Sequence, residues 1–360
     1  MWAIIFIVFL LLIIVLLCWF FIWRSKTSEI DIVYTWVDSD DMILQQLKKT
    51  GQHVSSIAPF KSNNELKYSL RSVEKYAPWY RKIFIVIHDD QKPPWLLEKH
   101  PRLVLVHHSK IIPSQYLPTF NSLAIESFLH KIPGLSERFL YFNDDMILLK
   151  PVDPQDFFDS QGLPIESKSA PINSRINPND ILMSRFSADG TYIKCTLDKE
   201  PYKFELMLSF NHQILQKYFI QEQRYQVQHV PSGNRKSFHK ELDRFIDRIS
   251  LNDQNIVDAT KRSKLRSNTN IARYSLFKKY WNMYQHGCRE KVFEEEYIEI
   301  NHLRSEEQRI KNIPNSEKMF MCVQNNIAYG DKGENIGQQD YALLQKVLEE
   351  IFPKRSSFEF

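Results

Sequence analysis

Glycine is scarce in this chain, with nine residues in 360. A dinucleotide fingerprint or a P-loop needs glycines where the backbone closes on phosphate. Neither pattern occurs, so phosphate would have to be held by a metal ion and basic side chains. Cysteine is scarcer still. Cys18 lies in an apolar run, and Cys195, Cys288 and Cys322 form no disulfide framework and lack zinc-site spacing. No Asn-x-Ser/Thr sequon marks a glycosylated surface. The charge excess is only +4 and no DNA- or RNA-binding signature accompanies it, so no nucleic-acid partner is expected. Repeats and low-complexity tracts are absent too.

What is present is a globular composition, 43% apolar and 25% charged, long enough for one large domain or two ordinary ones. Ahead of it stands WAIIFIVFLLLIIVLLCWFFIW, residues 2–23, which carries no charge and reaches the ~20 apolar residues that a bilayer span needs. It lacks the basic start and small-residue cleavage site of a signal peptide. Trp19 and Trp23 suit an interface, and the run predicts a single N-terminal transmembrane anchor. Arg24 and Lys26 flank its C-terminal end, a weak positive-inside vote for a cytoplasmic domain.

After the anchor, apolar runs of strand type alternate with helical periodicity. Ile30 to Val37, Ile83 to Ile87, Leu103 to Val106 and Phe139 to Phe142 predict strands. Leu66, Leu70, Val73 and Ala77 predict a helix opened by a capping box at Ser62-Asn63-Asn64-Glu65. Ile125, Phe128, Leu129 and Ile132 predict a second helix, stopped by Pro133-Gly134. A short helix is expected between the second and third strands. This alternation predicts a mostly parallel α/β sheet flanked by helices.

Ligands of such sheets bind beyond the carboxyl ends of the strands. Three of the four ends carry carboxylates, namely Asp38, Asp89 and the pair Asp144-Asp145, and the other carries His107-His108. Adjacent carboxylates that lose hydration need a cation. A polar turn after a strand is the plain alternative for any one of these ends, but convergence at one edge favours a site. Further on, prolines break up residues 151–200 and Phe204 to Tyr218 reads as helix. His229, Arg235, Lys236 and His239 lie close together, and KRSKLRSN, residues 261–268, forms a basic cluster. Basic clusters are most often solvated surface, yet facing an acidic edge they would neutralise a diphosphate. The C-terminal segment predicts a strand, a polar loop and a helix from Gln339 to Phe352.

IDIVYTWVDSDD, NNELKYSLRSVEKYAPWYRKIFIVIHDDQKPPWL and LPTFNSLAIESFLHKIPGLSERFLYFNDD closely resemble the first two conserved regions of the Stealth family of hexose-1-phosphate transferases. The likeness is fainter at His229-Val230-Pro231 and Leu265-Arg266-Ser267, which resemble a third region, and at MFMCVQNN, a fourth. The ending IFPKRSSFEF is more similar to the animal members than to the bacterial ones. Where the last region usually carries an acidic residue, this chain has Asn325. An amide there can ligate a hard cation but supplies no charge.

The resemblance implies a Rossmann-like, GT-A-like α/β fold. Its parts would be an anchor (1–24), a nucleotide-sugar-binding half (30–150), an irregular and helical insertion (151–220) and a second half completing the active site (221–360). The implied donor is a nucleotide-sugar such as UDP-N-acetylglucosamine, and the acceptor is a glycan or glycoprotein hydroxyl. Asp144 and Asp145 would hold Mg²⁺ or Mn²⁺. Arg266 would steady phosphate oxygens, with His229 or Asp38 as general base. Asn64, Arg71, Asn143, Asn325 and Asn326 would contact substrate. A Golgi protein with a lumenal domain is expected from the animal-like ending, with the cytoplasmic face of a bacterial inner membrane as the alternative. A homodimer remains open. A glycosyltransferase releasing UDP and a silent sugar-binding protein are the rival functions.

Overall fold

The computed structural model describes residues 29–38, 60–89, 91–168, 228–248, 250–251, 254–267, 270–301, 303–326 and 336–360. It also describes Trp2 and positions 207, 208, 210, 211, 214, 215, 218 and 219. The expected anchor therefore lies outside the described residues apart from Trp2, as does most of the insertion. Among the described residues no helix is long and apolar enough to cross a membrane.

The chain opens with β1 (Ile30–Thr35), α1 (Glu65–Tyr76), β2 (Ile83–Ile87) and β3 (Leu103–His107). Then come α2 (His108–Ile111), α3 (Ser122–Glu126), β4 (Arg138–Asn143), β5 (Met146–Leu148), α4 (Pro154–Phe157) and β6 (Glu166–Ser167). The later part holds β7 (Ser232–Arg235), α5 (Lys236–Ile246), β8 (Ser250–Leu251), β9 (Gln254–Asn255), α6 (Ile256–Arg262) and α7 (Lys278–His286). Last are β10 (Glu290–Lys291), β11 (Glu295–Asn301), α8 (Glu307–Asn312), β12 (Phe320–Asn326) and α9 (Ile336–Ile351).

The main sheet has the order β3-β2-β1-β4-β7. β1 pairs in parallel with β2 and β4, β2 with β3, and β7 closes the edge antiparallel to β4. Central strands of such a sheet are covered on both faces, hence their unbroken apolar runs. Ile32 and Tyr34 of β1 pack with Leu66, Leu70 and Val73 of α1. Val33 packs on the other face with Phe128, Leu129 and Ile132. A smaller sheet, β11-β12-β5, has β12 antiparallel to β5. Consequently Asp144 and Asp145 are the two-residue link between β4 of one sheet and β5 of the other. No other feature of the fold does more to position the site.

Three local expectations are corrected. The helix predicted across 125–132 is short α3 followed by a 3-10 turn at Leu129–Lys131. The Ser127 hydroxyl bonds back to the Leu123 carbonyl at 2.8 Å, a contact that disturbs continued α-helix. The apolar face survives, because both pieces bury it against β4. The capping box does not form, since Asn64 at φ +67° precedes α1 without a side-chain cap. Glu65 instead accepts from the Asn63 backbone N–H at 2.6 Å. Among the described residues between β2 and β3 there is no helix, only turns and short bridges from Leu96 to Glu359 and from His100 to Leu103. The predicted C-terminal strand and helix are observed as β12 and α9, and the described positions between 207 and 218 are helical.

Candidate active site

The Asp144-Asp145 link is held by its neighbours on both sides. The Val323 N–H of β12 donates to the Asp145 carbonyl at 3.1 Å, and the Ser69 hydroxyl of α1 to the Met146 carbonyl at 2.5 Å. Glu65, at the first turn of α1, adds a third carboxylate that both aspartates feel. Burial, then Asp145 and Glu65, drive the Asp144 carboxyl well above the usual carboxylate range. Burial and then Glu65 push Asp145 up to about 7, while the Cys322 thiol and Arg266 pull the other way. Burial raises Glu65 as well. Asp145 Oδ1 is buried with no hydrogen-bond partner. A partnerless carboxylate oxygen among like charges is a place for a cation.

Late segments of the chain arrive at this link. Gln228, paired with the backbone of Phe293 at 2.8 and 3.0 Å, sets the position of His229. The His229 Nδ1 lies 3.8 Å from Cys322 Sγ, and its ring packs edge-on to Tyr297. Burial and then Arg266 lower the His229 pKa, so the ring is neutral at working pH. Cys322, opposite Met146 in the β12–β5 pairing, stands between His229 and Asp145, and burial followed by the Asp145 charge keeps it a thiol. Arg266 sits on a loop pinned to the start of α3, where Phe120 N–H donates to the Lys264 carbonyl at 2.9 Å and Asn121 to Asn270 at 2.8 Å. Its guanidinium donates twice to the Ser122 hydroxyl, at 3.0 and 2.6 Å, and its charge reaches Asp145, Glu126 and His229.

Glu126, the last residue of α3, accepts from the Tyr141 hydroxyl at 3.3 Å, and Tyr141 also meets the Thr35 hydroxyl at 3.1 Å. Burial pushes Glu126 up to about 7 against the pull of Arg266 and Tyr141. Nothing in the sequence spacing singles out Glu126, Glu65, Cys322 or Tyr141. Glu65 carries a capping signal there, and Glu126 looks like the solvated side of a longer helix.

The remaining expected residues divide. Asn143 pairs with Thr35 at the carboxyl edge, so Asn143 and Asp38 share the rim with Asp144. Asp38 accepts from the Ser62 N–H at 3.1 Å and lies 3.7 Å from Lys61. Asn64 is exposed at the head of α1 beside Glu65. Asn325 and Asn326 extend β12 past Asp145, and Asn326 donates to Glu299 at 2.7 Å. Arg71 is a correction. It is buried and faces the C-terminus, with two bonds to Glu359, one to Glu349 and one to the Phe352 carbonyl, all 2.8 Å. A guanidinium so engaged has nothing to offer a phosphate. Asp89 also leaves the acidic rim, because its carboxylate caps α2 through the Ser109 N–H at 3.1 Å and the Ser109 hydroxyl.

Residues 59–166 match the family model described as Stealth protein CR2, conserved region 2. An exopolysaccharide phosphotransferase of Streptomyces coelicolor is 52% identical over 140 residues, 37% of this chain but only 24% of that protein. The galactosyltransferase LgtC, crystallised with donor and acceptor sugar analogs, aligns over 89% of this chain and 96% of its own at 9% identity. Its TM-score is 0.39, and nothing about the site rests on it. The receptor polysaccharide phosphotransferase WefC of Streptococcus gordonii is 32% identical over 358 residues, 92% of this chain and 99% of that protein. With one relative spanned almost end to end and the conserved-region model on the strands that carry the acidic link, the chain belongs to the Stealth family of sugar phosphotransferases.

Proposed function

We propose that this enzyme transfers a sugar 1-phosphate, N-acetylglucosamine 1-phosphate from UDP-N-acetylglucosamine, to a hydroxyl of an acceptor glycan and releases UMP. The observation that carries the reading is the approach of His229 and Arg266 to the Asp144-Asp145 link. The sheet is read as GT-A-like, with the donor lying across the carboxyl ends of β1 and β4. The acceptor oxygen attacks the phosphorus that bears the sugar, and the bond to the bridging oxygen breaks, so that UMP leaves with that oxygen. The acceptor proton passes to neutral His229. Because Nδ1 lies beside the Cys322 thiol, Nε2 is the atom left for it. Arg266, steadied by Ser122, compensates charge moving toward the leaving phosphate.

Asp144 and Asp145 fit Mg²⁺ or Mn²⁺, since they offer hard oxygen donors and one buried carboxylate oxygen lacks a partner. Among the described residues no three acidic, histidine or cysteine side chains gather tightly enough to enclose a metal. Two carboxylates with substrate phosphate completing the set is a common arrangement for Mg²⁺. When bound, the cation supplies charge neutralisation on the diphosphate. Asn325 brings no charge, but Glu65 adds one carboxylate to this rim. The bacterial relatives support a location at the cytoplasmic face of a bacterial membrane over the Golgi, in line with Arg24 and Lys26.

Incubation with labelled UDP-N-acetylglucosamine, divalent metal and a glycan acceptor is expected to release one UMP per sugar-phosphate joined. UDP as the sole nucleotide product would mean glycosyl transfer, and donor binding without turnover would mean a silent member. A second expectation concerns Glu126, which ionises near pH 7 and then pairs electrostatically with Arg266. Activity should climb as pH rises through that value. In Glu126→Gln the climb should flatten and kcat/KM fall by roughly ten- to a hundredfold. An unchanged pH–rate profile in this variant would remove Glu126 from the site.

A further inference from the structure

At the end of β4 away from the acidic link there is a second region that the transfer chemistry leaves unused. Arg138, the first residue of β4, pairs with Arg235, and α5 starts at the next residue, Lys236. Six strand residues, about 20 Å, separate this end from Asp144. Here a cleft of about 480 Å³ is lined by His130, Lys131, Lys236, Lys240, Asp243 and Arg244. Beside it lies a cleft of about 350 Å³ lined by Tyr218, Glu241, Arg244, Phe245, Arg248 and Trp281. Arg244 lines both.

Along α5 and its end, Lys236, Lys240, Arg244 and Arg248 recur every four residues, one basic stripe. Like charges at this spacing repel and weaken a helix. Among the described residues no carboxylate is ion-paired to Lys131 or to any of these four. The one aspartate in the basic cleft is already satisfied, since Asp243 holds buried Arg273 at 2.8 Å and His130 at 2.8 Å. Burial and then Lys240 lower the Lys236 pKa against the opposing pull of Glu137 and Asp31. In the second cleft Phe245 and Trp281 pack at 4.9 Å between ring centres, and the Trp281 indole N–H has no hydrogen-bond partner.

We propose that this double groove binds the phosphodiester-linked glycan itself, as a holding site for the growing chain remote from the point of transfer. Aromatic rings present flat apolar faces to sugar rings. Lysine and arginine take the intervening phosphodiesters. The stripe runs some 18 Å along the helix axis, a length suited to a polymer and not to a single anion. The chemical class of the occupant rests on the proposed reaction, whose product alternates sugar and phosphodiester. The groove's charge and aromatic lining stand apart from it.

The test uses the full chain and a purified phosphodiester-linked hexose oligomer, compared with the same sugars joined without phosphate. Binding is read by calorimetry, without turnover. The phosphodiester oligomer should bind and its phosphate-free counterpart should not, with affinity falling as salt is raised. The double variant Lys240→Glu, Arg244→Glu changes two exposed side chains and should keep its fold by circular dichroism. It should lose about tenfold or more in oligomer affinity and raise KM for long acceptors likewise, while kcat with a monosaccharide acceptor stays as in the wild type. Equal binding of the phosphate-free oligomer, undiminished binding by the double variant, or capture of phosphatidylglycerol vesicles without oligomer binding would each overturn the proposal. If UMP release fails but oligomer binding still depends on Lys240 and Arg244, the transfer reading falls and the groove stands. The reverse pattern removes the groove alone.

Discussion

Asp145→Asn is expected to abolish transfer and, with no divalent cation added, to make the protein more stable. Asp145 is pressed against Asp144 and Glu65, and one of its oxygens is buried without a partner. Its carboxyl therefore holds a proton in the folded state up to about pH 7 that the unfolded chain releases near pH 4. Because the folded state binds the extra proton, wild-type stability falls as pH rises through that window. An amide of the same shape removes the repulsion. We expect a gain of about 1–2 kcal/mol near neutral pH, a rise of several degrees in Tm, and a flatter dependence of Tm on pH. Transfer should fall roughly a thousandfold or more, because stabilisation of the diphosphate charge is lost. Thermal unfolding at several pH values, with and without Mg²⁺, and UMP release check both halves. In the wild type added Mg²⁺ should raise Tm, and in the variant it should do so far less. A destabilised variant that still turns over would place the reacting centre elsewhere.

The second large effect separates two arginines of the same formal character. Arg71→Ala is expected to cost about 3–5 kcal/mol of stability, because it strands a charge that is out of water. The Glu359 side chain is only 3% exposed, and burial alone would raise its carboxyl, but the Arg71 guanidinium brings it below the usual value. Lys67, 3.8 Å from Glu359, offsets part of the loss, so the lower end of the range is the better expectation. The C-terminal tail, with Phe358 fully buried and its carbonyl accepting from the Leu97 N–H at 2.8 Å, should loosen along with the pair. Arg266→Ala, by contrast, removes an exposed side chain whose bonds go to one hydroxyl. Its stability should stay within about 0.5 kcal/mol of the wild type, while transfer falls by about a hundred- to a thousandfold. Urea unfolding and UMP release on the two variants give opposite rankings if the assignment holds. Equal catalytic losses at equal stability would show that Arg71 reaches the donor after all.

Much of the scaffold was readable without coordinates, because its signals are local. Runs rich in β-branched and aromatic residues mark Ile30–Thr35, Ile83–Ile87 and Arg138–Asn143 as strands covered on both faces, and these are the three central strands. Helical periodicity marks Glu65–Tyr76 and the C-terminal Ile336–Ile351. Carboxylates at the ends of parallel strands already pointed to one rim, and Asp38 and the Asp144-Asp145 link do share it.

The partners of those carboxylates were decided only by the folded chain. A basic residue looks the same in sequence whether its charge meets a buried tail, as that of Arg71 does, or reaches the acidic link from a loop, as that of Arg266 does. The difference comes from the end of α9 and the last residues docking across α1, a long-range arrangement that no local period encodes. In the same way Asp89 is spent on the Ser109 cap, and the early end of α3 keeps Glu126 beside Tyr141 and Arg266. Local sequence set which segments become strand or helix and which strand ends carry charge. Burial and neighbour charge, properties of the assembled sheets alone, selected the ionisable groups that can act together.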